Sequence, residues 1–172
     1  PLARPPMAPP VISPVPKAEP SRDCPLCPRL VALRHQCIVE HPDWWNGPVS
    51  AFGDPQARIV IVGLAPGKQG ANRTGRPFTG DHAGDLFFAT LAKFGLSRGG
   101  YEARVDDDVG LVDCAILNSV KCLPPQNKPL PEEVRTCRPF LAQGVAALPR
   151  AGIFIALGQI AHQSAVTVLG GR

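Results

Sequence analysis

Short, continuous apolar runs alternate along the chain with longer segments of helical spacing. "RIVIVGL" (58–64), "VGLVDCAILNSV" (109–120) and "GIFIALG" (152–158) are uninterrupted, rich in β-branched residues and bounded by turn formers. The first two predict strands buried on both faces, and the last predicts a third strand. "AGDLFFATLAKFGL" (83–96) sets Leu86, Phe87, Thr90, Leu91 and Phe94 along one side, which predicts a helix with Gly95 near its end. "PEEVRTCRPFLAQGVAAL" (131–148) predicts another, opened by Pro131 with acidic residues in its first turn. A shorter helix is expected from about Pro28 to Gln36, and a last one in "QIAHQSAVTVLG". Strands that alternate with helices predict an α/β fold, a parallel sheet in an α/β/α sandwich. No internal repeat is evident.

Composition changes this picture at the ends. Residues 1–20 hold eight prolines, so residues 1–21 are expected to form a disordered Pro-rich arm ahead of one domain over 22–172. The chain starts at Pro1 and stops at "VTVLGGR", so the domain is expected to be incomplete at its C-terminus. No apolar run approaches the roughly 20 residues that span a bilayer. Eighteen basic and fourteen acidic residues give +4, compatible with a polyanionic partner without identifying one.

In parallel sheets ligands bind at the carboxyl ends of the strands. The loops 63–82, 121–130 and 157–160 leave those ends and are expected to converge, bringing Phe78, Asp81, Asn118 and Asn127 near one another. The first of these, "GLAPGKQGANRTGRPFTGD" (63–81), is Gly-rich and follows a strand, yet lacks the lysine and spacing of a phosphate-binding loop. It closes on an aromatic three residues before a lone carboxylate, which suits a flat ligand better than a phosphate. Plainer readings stand beside each residue. Phe78 also fits a core aromatic, Asp81 a helix N-cap, Asn127 a turn, and Arg73 and Arg76 a solvated loop.

Six cysteines are present. Cys114 lies mid-strand and reads as an inert core residue, and Cys37 as structural. Cys24 and Cys27 form a CxxC turn, with Cys122 and Cys137 following the second strand. Disulfides, a four-thiolate zinc site and a four-thiolate iron–sulfur cluster all remain open on spacing alone.

The loop 63–81 together with "KCLPPQNKPLPEEVRTCRPF" (121–140) closely resembles the uracil-DNA glycosylases of iron–sulfur type, and GLAPG at 63–67 resembles their family-five, or type B, branch. "CPLCPRLV" (24–31), "FGDPQARI" (52–59) and "ALGQIA" (156–161) fall in the family's order. The resemblance implies a [4Fe–4S] cluster on Cys24, Cys27, Cys122 and Cys137. It implies a glycosylase that extrudes a nucleotide into a pocket and excises uracil, and other deaminated bases such as hypoxanthine, in base-excision repair. Gly63, Leu64, Ala65, Phe78 and Asn118 would line that pocket, Asp81 and Asn127 would be catalytic, and Arg73 and Arg76 would meet DNA phosphates. The protein would act as an intracellular, nucleoid-associated monomer, with no membrane partner. His35, His41, His82 and His162 match no family histidine. The alternative is a metal-stapled nucleic-acid-binding module without enzymatic activity. Asp81 beside Phe78 separates the two, because a pure binder has no use for a carboxylate facing a polyanion.

Overall fold

The computed structural model describes residues 19–171, so most of the expected N-terminal arm lies outside them. Helix α1 (Pro28–Glu40) precedes a two-residue strand β1 (Phe52–Gly53) and the buried strand β2 (Ile59–Gly63). A one-turn helix α2 (Ala71–Thr74) and helix α3 (His82–Lys93) follow. A small ribbon of β3 (Ser97–Arg98) and β4 (Gly110–Leu111) leads to β5 (Cys114–Asn118). A 3-10 turn (Pro125–Asn127), α4 (Pro131–Ala146), β6 (Ile153–Ala156) and α5 (Gln159–Val168) complete the chain.

The sheet order is β1-β5-β2-β6, with β5, β2 and β6 parallel and β1 antiparallel to β5. Side chains alternate across a strand, and this divides the core. Val60, Val62, Ala115 and Leu117 pack against Leu141 of α4 and Ala161 and Ala165 of α5. Ile61, Cys114 and Ile116 face Phe88 and Leu91 of α3 and Leu111 of β4. The result is the expected α/β/α sandwich, with one antiparallel edge strand added. That strand was illegible because its two residues sit in a Pro- and Gly-rich loop. Among the described residues no helix is long and apolar enough to cross a membrane.

Two sequence expectations are corrected. The apolar run 109–120 is two strands, because Asp113 turns the chain with φ 54°. Its carboxylate accepts the Arg58 amide at 2.9 Å and Arg58 Nε at 2.7 Å, while its own amide donates to Asp54. In α3 the inward stripe is Gly84, Phe88 and Leu91, leaving Leu86 and Phe94 exposed. Phe88 sets this phase by stacking on Tyr101 with ring centroids 4.3 Å apart.

The outer edge of β6 has no strand partner among the described residues. Ile153 and Ile155 are exposed on the face that α3 covers only over β2 and β5.

A buried ion pair ties the end of the Gly-rich loop to the segment between β3 and β4. Arg76 meets Asp107 through two bonds of 2.7 Å, and its Nε donates to Thr79 Oγ1 at 2.8 Å. Both charged side chains are buried, and the guanidinium lies over Phe52, Phe88 and Tyr101. Arg76→Met is expected to lower stability by about 3–5 kcal/mol, because it leaves one buried charge unpaired; a denaturant or thermal melt reads this. Burial pushes the Asp107 carboxyl up, but hydrogen bonds from Arg76 and from the Glu102 and Val109 amides outweigh it and hold the group below its ordinary value of 3.8. A folded-state pKa below the unfolded one stabilises the protein above the unfolded value and is lost as pH falls through the folded one. Stability of the native protein should therefore drop on acidification below about pH 4. In Asp107→Asn, melts across that range should lack this component.

Candidate active site

The site begins where β2 and β5 end together, with Gly63 in register with Asn118. The pairing continues into the loops, as Ser119 donates both its amide and its hydroxyl to the Gly63 carbonyl and the Val120 amide donates to Leu64. A side chain at Gly63 has no room: a Cβ there would overlap the Asn118 amide oxygen and lie 3.2 Å from the Phe78 ring. Glycine thus lets three groups from three loops or strands share one floor.

Phe78 sits on that floor with an unusual left-handed backbone, φ 51°. Phe87 of α3 stacks behind its ring at 4.3 Å and 15°, so Phe78 is supported rather than free to swing. Tyr101 brackets the same turn, its hydroxyl donating to the Phe78 carbonyl and accepting the Gly80 amide, both at 3.3 Å. Tyr101 was not singled out from sequence, and Phe87 only as part of a helix stripe. Asn118 is buried at 4% exposure. Leu64 and Ala65 are half-buried above it, and Ala65 also packs against the cluster of Leu30, Val120 and Cys137.

Asp81 caps α3, its Oδ1 accepting the Gly84 amide at 3.0 Å. The second oxygen turns the other way, onto the backbone of the Gly-rich loop. A Cβ on Gly67 would stand 3.2 Å from Oδ2, and one on Gly70 would collide with it. Oδ2 accepts no hydrogen bond from the described protein groups, and the residue is half-buried. One carboxylate therefore combines the plain role of a cap with an oxygen left free beside the loop. His82 next to it is fully exposed.

Asn127 lies in the loop after β5. It is exposed, with φ 56° directly after Gln126 at φ 55°. No hydrogen bond joins its side chain to Asp81 or Asn118. The Gly-rich loop is also framed by residues 41–49, a segment from which the sequence suggested nothing. The Trp45 and Asn46 amides donate to Arg73 and Asn72, and Asn72 Nδ2 donates to Asn46 Oδ1 at 3.0 Å.

The two arginines part company. Arg73 is exposed but donates to the Gln69 and Gly80 carbonyls at 2.9 and 2.8 Å. Arg76 is only 5% exposed and saturated by Asp107 and Thr79. A phosphate contact needs an accessible, unpaired cation, so the expectation for Arg76 is corrected: it is a pillar of the loop, not a DNA contact.

Cys24, Cys27, Cys122 and Cys137 line one pocket between α1, the 119–124 loop and α4, walled by Leu26, Leu30 and Phe140. Cys37 and Cys114 are fully buried elsewhere. Burial, and then the Cys137 sulfur, push the Cys122 thiol up to about 12; burial likewise raises Cys137 to about 11, against the Lys121 amide that donates to its sulfur at 3.3 Å. Arg34 is 7% exposed beside this pocket, and its Nη1 is buried with no hydrogen-bond partner. The neighbouring Lys121 ammonium is wholly buried and paired with Glu19. A guanidinium that donates through Nη2 to the Cys24 carbonyl at 3.0 Å but leaves Nη1 unpartnered, and an amide aimed at sulfur, fit a set of thiolates carrying net negative charge. Among the described residues, however, no three His, Cys, Asp or Glu side chains converge closely enough to ligate a single metal ion.

Comparison with known proteins places this geometry. The family model of the Uracil DNA glycosylase superfamily matches residues 50–171. The chain is 42% identical over 154 residues to the type-5 uracil-DNA glycosylase of Thermus thermophilus, covering 87% of this chain and 70% of that protein. Against the type-5 enzyme of Pyrobaculum aerophilum it is 40% identical, covering 86% and 67%. The type-4 uracil-DNA glycosylase of the same organism matches less of both, at 37% identity over 72% of this chain and 56% of that protein. The longer type-5 matches agree with the GLAPG sequence at 63–67, and the chain belongs to the uracil-DNA glycosylase superfamily, on its type-5 branch.

Proposed function

We propose that this protein hydrolyses the N-glycosidic bond of deoxyuridine in DNA, releasing uracil for base-excision repair, with Asp81 and Asn127 carrying the chemistry. The observation that carries the reading is the Asp81 carboxylate, with one oxygen held by the helix it caps and the other free beside the loop of the pocket. An extruded base packs on Phe78, a type of contact worth ~1–3 kcal/mol, and meets the Asn118 amide. As the glycosidic bond breaks, positive charge builds on the deoxyribose, as in glycoside hydrolysis. Asp81 Oδ2 stabilises that charge and orients the water that attacks the anomeric carbon. The water's oxygen ends on the sugar, and the base leaves with the bonding electrons and takes up a proton. Asn127, exposed in the loop after β5, helps position the reacting groups. Leu64, Ala65 and Pro66 bring no polar side chain to the pocket, which supports acceptance of further deaminated bases such as hypoxanthine. Arg73 contacts phosphate by exchanging its carbonyl partners.

The four cysteines around the α1–α4 pocket would hold a [4Fe–4S] cluster. Zinc draws its four thiolates to about 2.3 Å from one ion, whereas a cubane accepts them at its separate corners; the family resemblance of the motifs at 63–81 and 121–140 supports the cubane. Such a cluster would supply a structural crosslink there, with Arg34 balancing its charge and the Lys121 amide donating to the Cys137 sulfur. A repair role on DNA corresponds to a protein working inside the cell, here as a monomer.

In the native full-length protein, Asp81→Asn should slow single-turnover excision from a uracil-containing duplex by ~10²–10³ while leaving DNA affinity nearly unchanged. Asn caps a helix as well as Asp does, so its melt should match the parent. Unchanged cleavage with an unchanged melt would reduce Asp81 to a cap and move the catalytic role to Asn127, whereas a parent that binds the duplex without cleaving it would favour the non-enzymatic reading. For the metal, anaerobically purified protein should be brown with absorption near ~400 nm. Cys122→Ser or Cys137→Ser should lose that colour and Cys114→Ser keep it; a colourless parent carrying one zinc would overturn the assignment.

A further inference from the structure

We propose that the Arg29–Glu133 pair, a half-exposed arginine on a buried carboxylate, is a positioning device for the excision reaction, holding the loop that presents Asn127. The inference rests on the reading of Asn127 given above. Glu133, in the first turn of α4, is 4% exposed, yet its carboxylate accepts three bonds: Arg29 Nε at 2.8 Å, Arg29 Nη2 at 2.7 Å and the Leu130 amide at 2.7 Å. Arg29 Nη2 also donates to the Lys128 carbonyl at 3.0 Å. Of the three residues between the 3-10 turn and α4, one carbonyl and one amide are thus fixed by the same pair. A capping carboxylate alone needs only the Leu130 amide and no arginine 104 positions away.

The loop needs such a hold. Gln126 and Asn127 are consecutive non-glycine residues in the left-handed region, each of which costs free energy that the surroundings must supply. Within the loop only two backbone bonds, Asn127 N to Pro124 O and Lys128 N to Pro125 O, resist relaxation. With the Lys128 carbonyl released, Asn127 loses its downstream anchor one residue away. Catalytic geometry is steep, and a displacement of about 1 Å can cost ~10²-fold in rate. Arg29 touches neither Phe78 nor Asp81, so it acts through Asn127. It also sits on α1 two residues after Cys27, so the strut runs from the cysteine turn to the reacting loop.

The test is a double-mutant cycle in the native full-length protein, with single-turnover excision of uracil as its rate. Arg29→Met and Glu133→Gln should slow excision ~10-fold or more with duplex affinity and iron content unchanged, and hydrogen exchange at the Leu130 amide should accelerate. Arg29→Lys keeps the charge but cannot fork to both acceptors; it should fold like the parent and still be slowed, covering the case in which Arg29→Met is unstable. Asn127→Ala combined with either Arg29 variant should be no slower than Asn127→Ala alone, because both act through one group. Additive losses, or parental rates in Arg29→Lys with faster Leu130 exchange, would overturn the positioning role while leaving Asn127 catalytic. Parental rates in Asn127→Ala itself would overturn the catalytic reading of Asn127, and this inference with it.

Discussion

Everything at the site depends on two parallel strands ending level. Because β2 and β5 stop at Gly63 and Asn118 in register, the two outgoing loops begin within hydrogen-bonding distance and stitch together through Ser119 and Val120. A parallel pair has evenly spaced, slanted bonds and no tight turn to fix its register, so the register is held by burial. All five residues of β5 are buried, as are four of the five in β2. A slip by one residue would turn Val60 and Val62 toward α3 and Ile61 toward α4. It would also replace Gly63, the one residue whose lack of a side chain admits both Asn118 and Phe78.

A second economy concerns Asp81. Helix capping needs one oxygen, and a carboxylate has two. The bond from Gly84 orients the group and leaves the other oxygen fixed in direction, which is what pre-organised charge stabilisation requires. The glycines at 67 and 70 follow from the same geometry: they are the space into which that oxygen projects. The many glycines of this loop thus serve a carboxylate inside the protein rather than a phosphate outside it.

How much of this could be read from sequence follows the range of each interaction. The strand 59–63 was legible because a continuous β-branched run reports burial directly; 153–156 was legible as a strand by the same pattern although Ile153 and Ile155 are exposed at the sheet edge, and Asp81 as a cap because capping is local. Convergence of Phe78 and Asn118 was legible only through the rule that strand ends gather ligands. Arg76 was misread because its partner, Asp107, lies 31 residues on in a stretch of consecutive aspartates that reads as solvated. Two arginines three apart in a glycine loop look alike locally, and only the tertiary fold separates the buried one from the exposed one. Tyr101 stayed invisible, and the bracing role of Phe87 with it, for a related reason: an aromatic that braces another aromatic carries no signature of its own.

The links that fasten the N-terminal segment share one property. Arg29 to Glu133 spans 104 residues and Lys121 to Glu19 spans 102, and the CxxC turn faces Cys122 and Cys137 across a comparable stretch. Closing a loop of that length forfeits chain entropy before any contact rewards it. The sheet, with β2, β5 and β6 following one another at shorter range, gives those contacts a surface on which to land. In folding order the segment from Glu19 through α1 is therefore a late clasp, fastened onto a sandwich already formed. Run in reverse, it is the piece whose release leaves the sheet standing while uncovering the cysteines.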